Sequence, residues 1–484
     1  MMVVAKTSLG DVRGLVGDGV IRFRGLPYAT ATRFARPEPV ASLPAEALAH
    51  GPIPPQPASR LRAAMGDYDL PQDENCLTLT IATPSVEGSR PVVVVLHGGA
   101  YLSGAGSLDW YDGAAMAREG DCVVVGVNYR LGALGWLHLP GVAEGNQGLH
   151  DMLASLRFVR DHIAAFGGDP ARVTLLGQSA GGHAIMCLLT MPEAGGLFHR
   201  AILQSPPPAM TPLATATASA YGARLAEFAD VAPEGLRTLP VPALIAAQLQ
   251  LARSIAGFAD VRPPFVPVSD ELASTGAFIA AAALGAAERG IKLIIGTTRE
   301  EMHAFFVPDP AMQVPDRAAF EARFEALGGA GTLARYRAWR PGGAAMDLLG
   351  DLVTDHLFQF PSLDLAEAVA RAGGEAFAYR FDWSAPGNPF HACHCIELPF
   401  VFATFPAWPD AGMLRGGDGA EMRGVSATLR AAWAGFAHGG VPGTAALPWP
   451  CYEPGQRMTM LFDRVIGCAG DPAGMAWRRD RGTS

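Results

Sequence analysis

The sequence predicts an α/β fold, a mostly parallel central sheet with helices on both faces and antiparallel strands at one end. Two observations carry this expectation. Apolar runs rich in β-branched residues, VVVVL at 92–96 and CVVVGV at 122–127, have the composition of strands covered on both faces. Stretches with helical spacing alternate with them, as in 148–166, where Leu149, Met152, Leu156, Val159 and Ile163 recur on one face. No internal repeat divides the chain, so it reads as one domain, 1–484, with mainly helical insertions at about 206–260 and 300–372.

In chain order, 3–30 alternates apolar and polar residues around Gly-rich turns, as edge strands do. Residues 37–71 are Pro-rich and irregular, a long surface loop. Strands are expected at 76–83, 92–96, 122–127, 173–176, 201–204, 291–295, 376–381 and 458–462. A tightly packed helix is expected at 182–189. The segment 206–260 reads as helices joined by turns. A helix at 421–438 is stopped by Gly439-Gly440. The last dozen residues, with Arg478, Arg479 and Arg481, have the character of a frayed tail.

Composition excludes several classes. A length of 484 residues with 49% hydrophobic content supports a large core. The net charge of −9 argues against a nucleic-acid partner, which needs a basic surface. No run of about 18 apolar residues is present, so membrane insertion is not expected. The N-terminal MMVVAKTSLGDVRG lacks a signal-peptide pattern, which makes a cytoplasmic location the expectation. Seven cysteines at irregular spacing do not form a disulfide framework.

The chemistry centres on Gly177-Gln178-Ser179-Ala180-Gly181, between an apolar strand and a small-residue helix. A serine at such an apex projects towards a base, and flanking glycines remove side chains that would collide at the bend. His97-Gly98-Gly99-Ala100-Tyr101 follows the strand at 92–96 and has the form of a loop that offers backbone N–H groups to an oxyanion. The acid is open between Glu300 and Glu301, just past the strand at 291–295. The base is open between His391 and His394 in His391-Ala392-Cys393-His394-Cys395. That cluster has metal-capable ligands but no second pair at finger spacing, so no metal is expected.

Ordered motifs along nearly the whole chain then point to a family. They are Phe23-Arg24-Gly25-Leu26-Pro27-Tyr28-Ala29, Asn75-Cys76-Leu77, Asn128-Tyr129-Arg130-Leu131-Gly132, Gly145-Asn146-Gln147-Gly148-Leu149-His150-Asp151, Phe166-Gly167-Gly168-Asp169-Pro170 and Trp449-Pro450-x-Tyr452. The chain resembles the type-B carboxylesterases of the cholinesterase superfamily, most of all bacterial members of the p-nitrobenzyl-esterase type. The resemblance implies an α/β-hydrolase fold with helical insertions over the active site. It implies a triad of Ser179, Glu301 and His394, with the N–H groups of Gly99, Ala100 and Ala180 as oxyanion donors. Tyr101, Gln178 and Phe305 are the expected substrate-binding residues, and the acyl and alcohol pockets are expected from 206–260 and 300–390. No cofactor is implied; the partner is a small-molecule ester, and the chain is a monomer or small homo-oligomer.

Three positions depart from the family pattern. Gln178 stands where the family usually has Glu, and Met302 replaces a Gly after the acid. Cys76 matches a half-cystine, but Pro54 occupies its partner's place, so that disulfide is not expected. The loop 54–75, which holds the cation-binding Trp of cholinesterases, contains Tyr68 but no Trp, so esters of neutral alcohols are expected. Two other readings stand beside this one. Amides, carbamates or thioesters could be cleaved by the same machinery. A non-catalytic adhesion or scaffold role is disfavoured by the intact triad.

Overall fold

The computed structural model describes residues 1–269, 272 and 277–474, and among them twelve strands join in one sheet. In chain order these are β1 (Met2–Thr7), β2 (Gly10–Gly17), β3 (Val20–Pro27), β4 (Thr78–Thr83), β5 (Arg90–Leu96) and β6 (Val123–Val127). They are followed by β7 (Gly168–Gln178), β8 (Arg200–Gln204), β9 (Lys292–Thr298), β10 (Ala376–Phe381), β11 (Met458–Phe462) and β12 (Gly467–Gly470). The sheet order is β1-β2-β3-β4-β6-β5-β7-β8-β9-β10-β11-β12. Pairings from β6 through β11 are parallel. Antiparallel pairings close both ends, not one as expected, because β12 returns along β11.

The continuous apolar runs follow from burial on both faces. In β5, Val92, Val94 and Leu96 enter one core and Val93 and Val95 the other, so neither face leaves room for a polar residue. Gln147–His162 and Ala180–Thr190 are helices of the first core, and Gly419–Gly439 lies over the second. That last helix ends at Gly440, whose φ of 71° gives the left-handed cap. The segment 300–372 is helical and encloses a third cluster of its own, including Met302, Phe324, Tyr336, Leu352 and Phe358. Within it, a π-helical turn, Asp355–Gln359, joins the helices Ala345–Thr354 and Phe360–Arg371.

Buried polar braces tie these layers together. Arg130 donates from Nη2 and Nε to both carboxylate oxygens of Asp151, at 2.7 and 2.8 Å, and its backbone N–H donates to the same group. Asn128 bridges Thr78 and Ser107, while Tyr28 donates to the Asn128 carbonyl at 2.6 Å. Asn146 exchanges two bonds with the Val268 backbone, fixing the chain just after the 206–260 insertion to the start of the helix Gln147–His162. The 37–71 segment is mostly irregular, with a two-residue strand, Glu38–Pro39, and one helical turn, Arg62–Met65; it is not wholly a surface loop, since residues 53–56 are buried. All seven cysteines are free thiols. No helix among the described residues is long and apolar enough to cross a membrane. Residues 475–484, most of the expected tail, lie outside the described residues.

The Arg130–Asp151 pair is buried, so removing one partner strands a charge away from water. Asp151→Ala should therefore lower unfolding stability by about 3–5 kcal/mol. Breaking the exposed Arg13–Glu46 pair should cost under about 1 kcal/mol. Urea unfolding midpoints of the two variants check the contrast, and equal losses would contradict it.

Candidate active site

Strand β7 runs parallel between β5 and β8 and stops at Gln178; the helix Ala180–Thr190 starts one residue later. Ser179 alone makes the turn, with φ 55° and ψ −120°, a conformation costing on the order of 1–3 kcal/mol for a residue with a side chain. Its N–H donates to the Gln204 carbonyl at 2.8 Å, and its own carbonyl accepts from His183 N at 2.9 Å. The bend brings backbones together too closely for side chains at the flanking glycines. A Cβ on Gly181 would lie 2.0 Å from the Leu96 carbonyl oxygen, and one on Gly177 would lie 2.5 Å from the Gly181 backbone.

The structure brings Ser179, His394 and Glu301 into one line. His394 Nδ1 lies 2.5 Å from Glu301 Oε2, and His394 Nε2 lies 2.8 Å from Ser179 Oγ. A buried carboxylate on Nδ1 fixes the proton there, leaving Nε2 to accept from the serine hydroxyl. Glu301 is fully buried, and its other oxygen accepts from the Thr298 N–H at 2.8 Å. The segments around the two residues are laced together. Glu300 N donates to the Ala392 carbonyl, Ala392 N to Glu300 Oε2, and His394 N to the Glu301 carbonyl. Glu300 thus holds the histidine loop and pairs with Arg299 and Arg340, away from the imidazole. His391 is exposed and sits edge-on to His303, not beside Ser179. Met302 has an ordinary helical conformation, φ −75° and ψ −12°, so no glycine is required there.

The loop after β5 faces the serine. A Cβ on Gly98 would lie 3.1 Å from the Ser179 Cβ, and Gly99, at φ 113°, would drive one into the Ser103 carbonyl. Ala100 and Tyr101 also have positive φ, 57° and 59°. Among the described residues, the N–H groups of Gly99, Ala100 and Ala180 donate to no protein acceptor. His97 anchors the loop from below. Its ring stacks on Tyr129 at 4.2 Å, and burial pushes its pKa down to about 4, so it stays neutral.

The cavity over Ser179 is walled mainly by 59–68 and 98–111, including Arg60, Met65, Tyr68, Trp110 and Tyr111. Of the stretches 206–260 and 300–390, only Phe305 lines this cavity, while residues 209–214 and 249–256 line an adjoining one. Gln178 lines the cavity over Ser179, with its Nε2 3.3 Å from His394 Nε2. Tyr101 does not. Its ring is fully buried against Trp136 and its hydroxyl lies 2.7 Å from His183 Nδ1, because the positive-φ turn directs it into the core. Phe358, which carried no sequence signal beyond being an aromatic in a helical stretch, packs its ring 5.1 Å from His394; Phe305 lies at 5.7 Å. Cys393 and Cys395 are buried in the second core, where burial raises both thiol pKa values well above the usual range. Among the described residues no three His, Cys, Asp or Glu side chains converge as a metal site.

Residues 2–466 match the model of the carboxylesterase family. The chain is 40% identical to a probable N-octanoylanthranilate hydrolase of Rhodococcus erythropolis, over 96% of this chain and 99% of the relative. It is 36% identical to the para-nitrobenzyl esterase of Bacillus subtilis strain 168, over 97% and 96%. Among solved structures, it is similar to the carboxylesterase EST55 of Geobacillus stearothermophilus, at 34% identity and a TM-score of 0.86. It is also similar to a thermophilic PNB esterase, at 33% identity and a TM-score of 0.85. Each alignment covers 98% of this chain and 99% of the other. The chain belongs to the carboxylesterase family and is a carboxylic ester hydrolase of the α/β-hydrolase fold.

Proposed function

We propose that the chain cleaves esters through an acyl-enzyme on Ser179, with His394 as base and Glu301 as its orienting acid. The observation that carries this reading is the unbroken hydrogen-bonded line from Ser179 Oγ through His394 to Glu301. His394 Nε2 takes the hydroxyl proton as Ser179 Oγ attacks the ester carbonyl, and Glu301 stabilises the imidazolium that results. The carbonyl oxygen, now negative, receives the N–H groups of Gly99, Ala100 and Ala180. His394 returns the proton to the departing alcohol; water then repeats the attack on the acyl-enzyme and releases the acid. No cofactor enters these steps. In this reading the whole chain works as one cytoplasmic domain, with 206–260 and 300–372 as insertions.

The alcohol part carries no positive charge. Among the described residues no carboxylate lines the cavity, and Arg60 adds a positive charge to it. Amide cleavage is a second reading, favoured by the relative named for N-octanoylanthranilate, whose scissile bond is an amide. Matched ester and anilide substrates separate the two.

One further carboxyl lies behind the triad. Glu397 is fully buried, and burial together with the Glu301 charge raises its pKa to about 8. It is therefore largely neutral at pH 7, which leaves a single negative charge behind the imidazole.

Ser179→Ala should lose roughly 10⁴-fold or more in kcat, and a fluorophosphonate should label Ser179 in the wild type. Glu301→Gln should lose on the order of 10³–10⁴-fold, whereas Glu300→Gln should retain activity within about tenfold. The reverse ranking would make Glu300 the acid. p-Nitrophenyl butyrate should be turned over with a much higher kcat/KM than butyrylthiocholine; comparable values would contradict a site that disfavours a cationic alcohol. For Glu397, the native chain keeps a proton that the unfolded chain releases between the ordinary carboxylate pKa of 4.5 and about 8. Its contribution to stability thus falls as pH rises through that window, by up to about 1.4 kcal/mol per pH unit. Glu397→Gln should flatten this decline, as read from urea midpoints at pH 5.5 and 7.5. An unchanged slope would mean the carboxyl is ionised in the fold.

A further inference from the structure

Beside the triad, the cavity holds a charge that ester cleavage does not use. Among the described residues lining it, Arg60 is the only Arg, Lys, Asp or Glu. Arg60 also lines a second cavity of about 380 Å³, formed largely by 209–214 and 249–266, and with Ser103 it forms the wall common to both. The guanidinium is fixed in place: Nη1 donates to the Val261 carbonyl at 2.9 Å, and its carbon lies 6.0 Å from the centre of the Phe305 ring. That ring is in turn 5.7 Å from His394, so Arg60 stands one aromatic ring away from the base. Arg60 is an exposed residue, so its guanidinium can be reached from solvent as well as from the two cavities it lines.

Among the described residues Arg60 forms no ion pair. Asp260, which lines the second cavity with Arg60, is already held by Arg262, whose Nε lies 3.0 Å from both carboxylate oxygens. Arg323 approaches the same Asp260 from the adjoining cavity, and its buried Nε has no partner. His356 lines that adjoining cavity too. Arg60 and Arg262 thus line the second cavity with Asp260, and Arg262 and Arg323 line the adjoining one with it, in a chain whose net charge is −9. Arginine stays protonated even when enclosed, and its planar fork matches a carboxylate with two parallel hydrogen bonds.

We propose that Arg60 is a specificity-determining residue that binds a carboxylate carried by the substrate, selecting anionic esters or amides over neutral ones. The inference rests on the hydrolytic reading of Ser179 and narrows its non-cationic substrates to anionic ones. The carboxylate belongs to either the acyl or the leaving group, and two substrate series tell them apart. One compares 3-(butyryloxy)benzoate with 3-(butyryloxy)benzamide; the other compares the mono-p-nitrophenyl ester of glutaric acid with its primary amide counterpart.

In at least one series the acid should have the higher kcat/KM, and Arg60→Gln should reduce the acid-to-amide ratio about tenfold or more. The loss should appear mainly in KM, with partial recovery in Arg60→Lys. The series that responds identifies the side of the scissile bond on which the carboxylate sits. A ratio unchanged by Arg60→Gln in both series overturns the proposal. Turnover of the neutral amide compounds tests the hydrolytic reading separately. Should that turnover be absent, or Arg60→Gln not fold, calorimetry on Ser179→Ala decides the matter without catalysis. Tighter binding of at least one acid than of its amide counterpart, weakened by raising NaCl from 50 to 500 mM, upholds the assignment; equal or weaker binding of both acids overturns it.

Discussion

The backbone of Ser179 sets the terms for everything around it. A residue with a side chain is held at φ 55° and ψ −120° between a strand and a helix. Such a conformation persists only where the surroundings over-determine it. Here the parallel neighbours do so: β5 on one side supplies the Leu96 carbonyl against Gly181, and β8 on the other takes the Ser179 N–H through Gln204. The glycines at 98, 177 and 181 are consequences of that convergence, since three backbones meet where a methyl group would not fit. The loop bearing Gly99 and Ala100 follows β5, so the position of its N–H groups is inherited from the same strand pairing.

This explains why some of the site was legible in the sequence and some was not. The strand, the bend and the helix appear as a local pattern because the physical demand is local: apolar β-branched residues, then small ones. The choice between Glu300 and Glu301 is not local. Adjacent side chains on the turn after β9 point in different directions, and only the folded loop turns one towards Nδ1 and the other towards Ala392 and Arg340. His391 and His394 are separated in the same way. Tyr101 was misleading because its neighbours belong to the site while its own positive φ swings the ring into the core. The four-residue strand β12, reading GCAG, has no apolar run to announce it. Pocket walls such as Trp110 and Met65 are single apolar residues in one-turn helical segments, too short for periodicity to separate them from core residues.

The motifs that carry the family resemblance mostly lie away from the reacting atoms. Asn128, Arg130, Asn146 and Asp151 are buried polar groups with their bonds made inside the protein. Such groups cannot be replaced singly without leaving a partner unsatisfied, which ties their identity to the fold rather than to any one substrate. At the pocket wall it is Arg60 that departs from what a cation-binding site would need, since its own positive charge lies over the Phe305 ring.

The π-helical turn at Asp355–Gln359 gives the helical insertion a say in the geometry of the base. Its wider winding accommodates one more residue than a regular turn, and Phe358 within it rests on His394. The same small core that holds Phe358 also holds Met302, next in sequence to Glu301. Acid and base are thus both clamped from one cluster. A helix without the extra residue would carry Phe358 about 100° round the axis and off the imidazole. Registration of a distant helix, one residue in length, is in this sense part of the alignment of the triad.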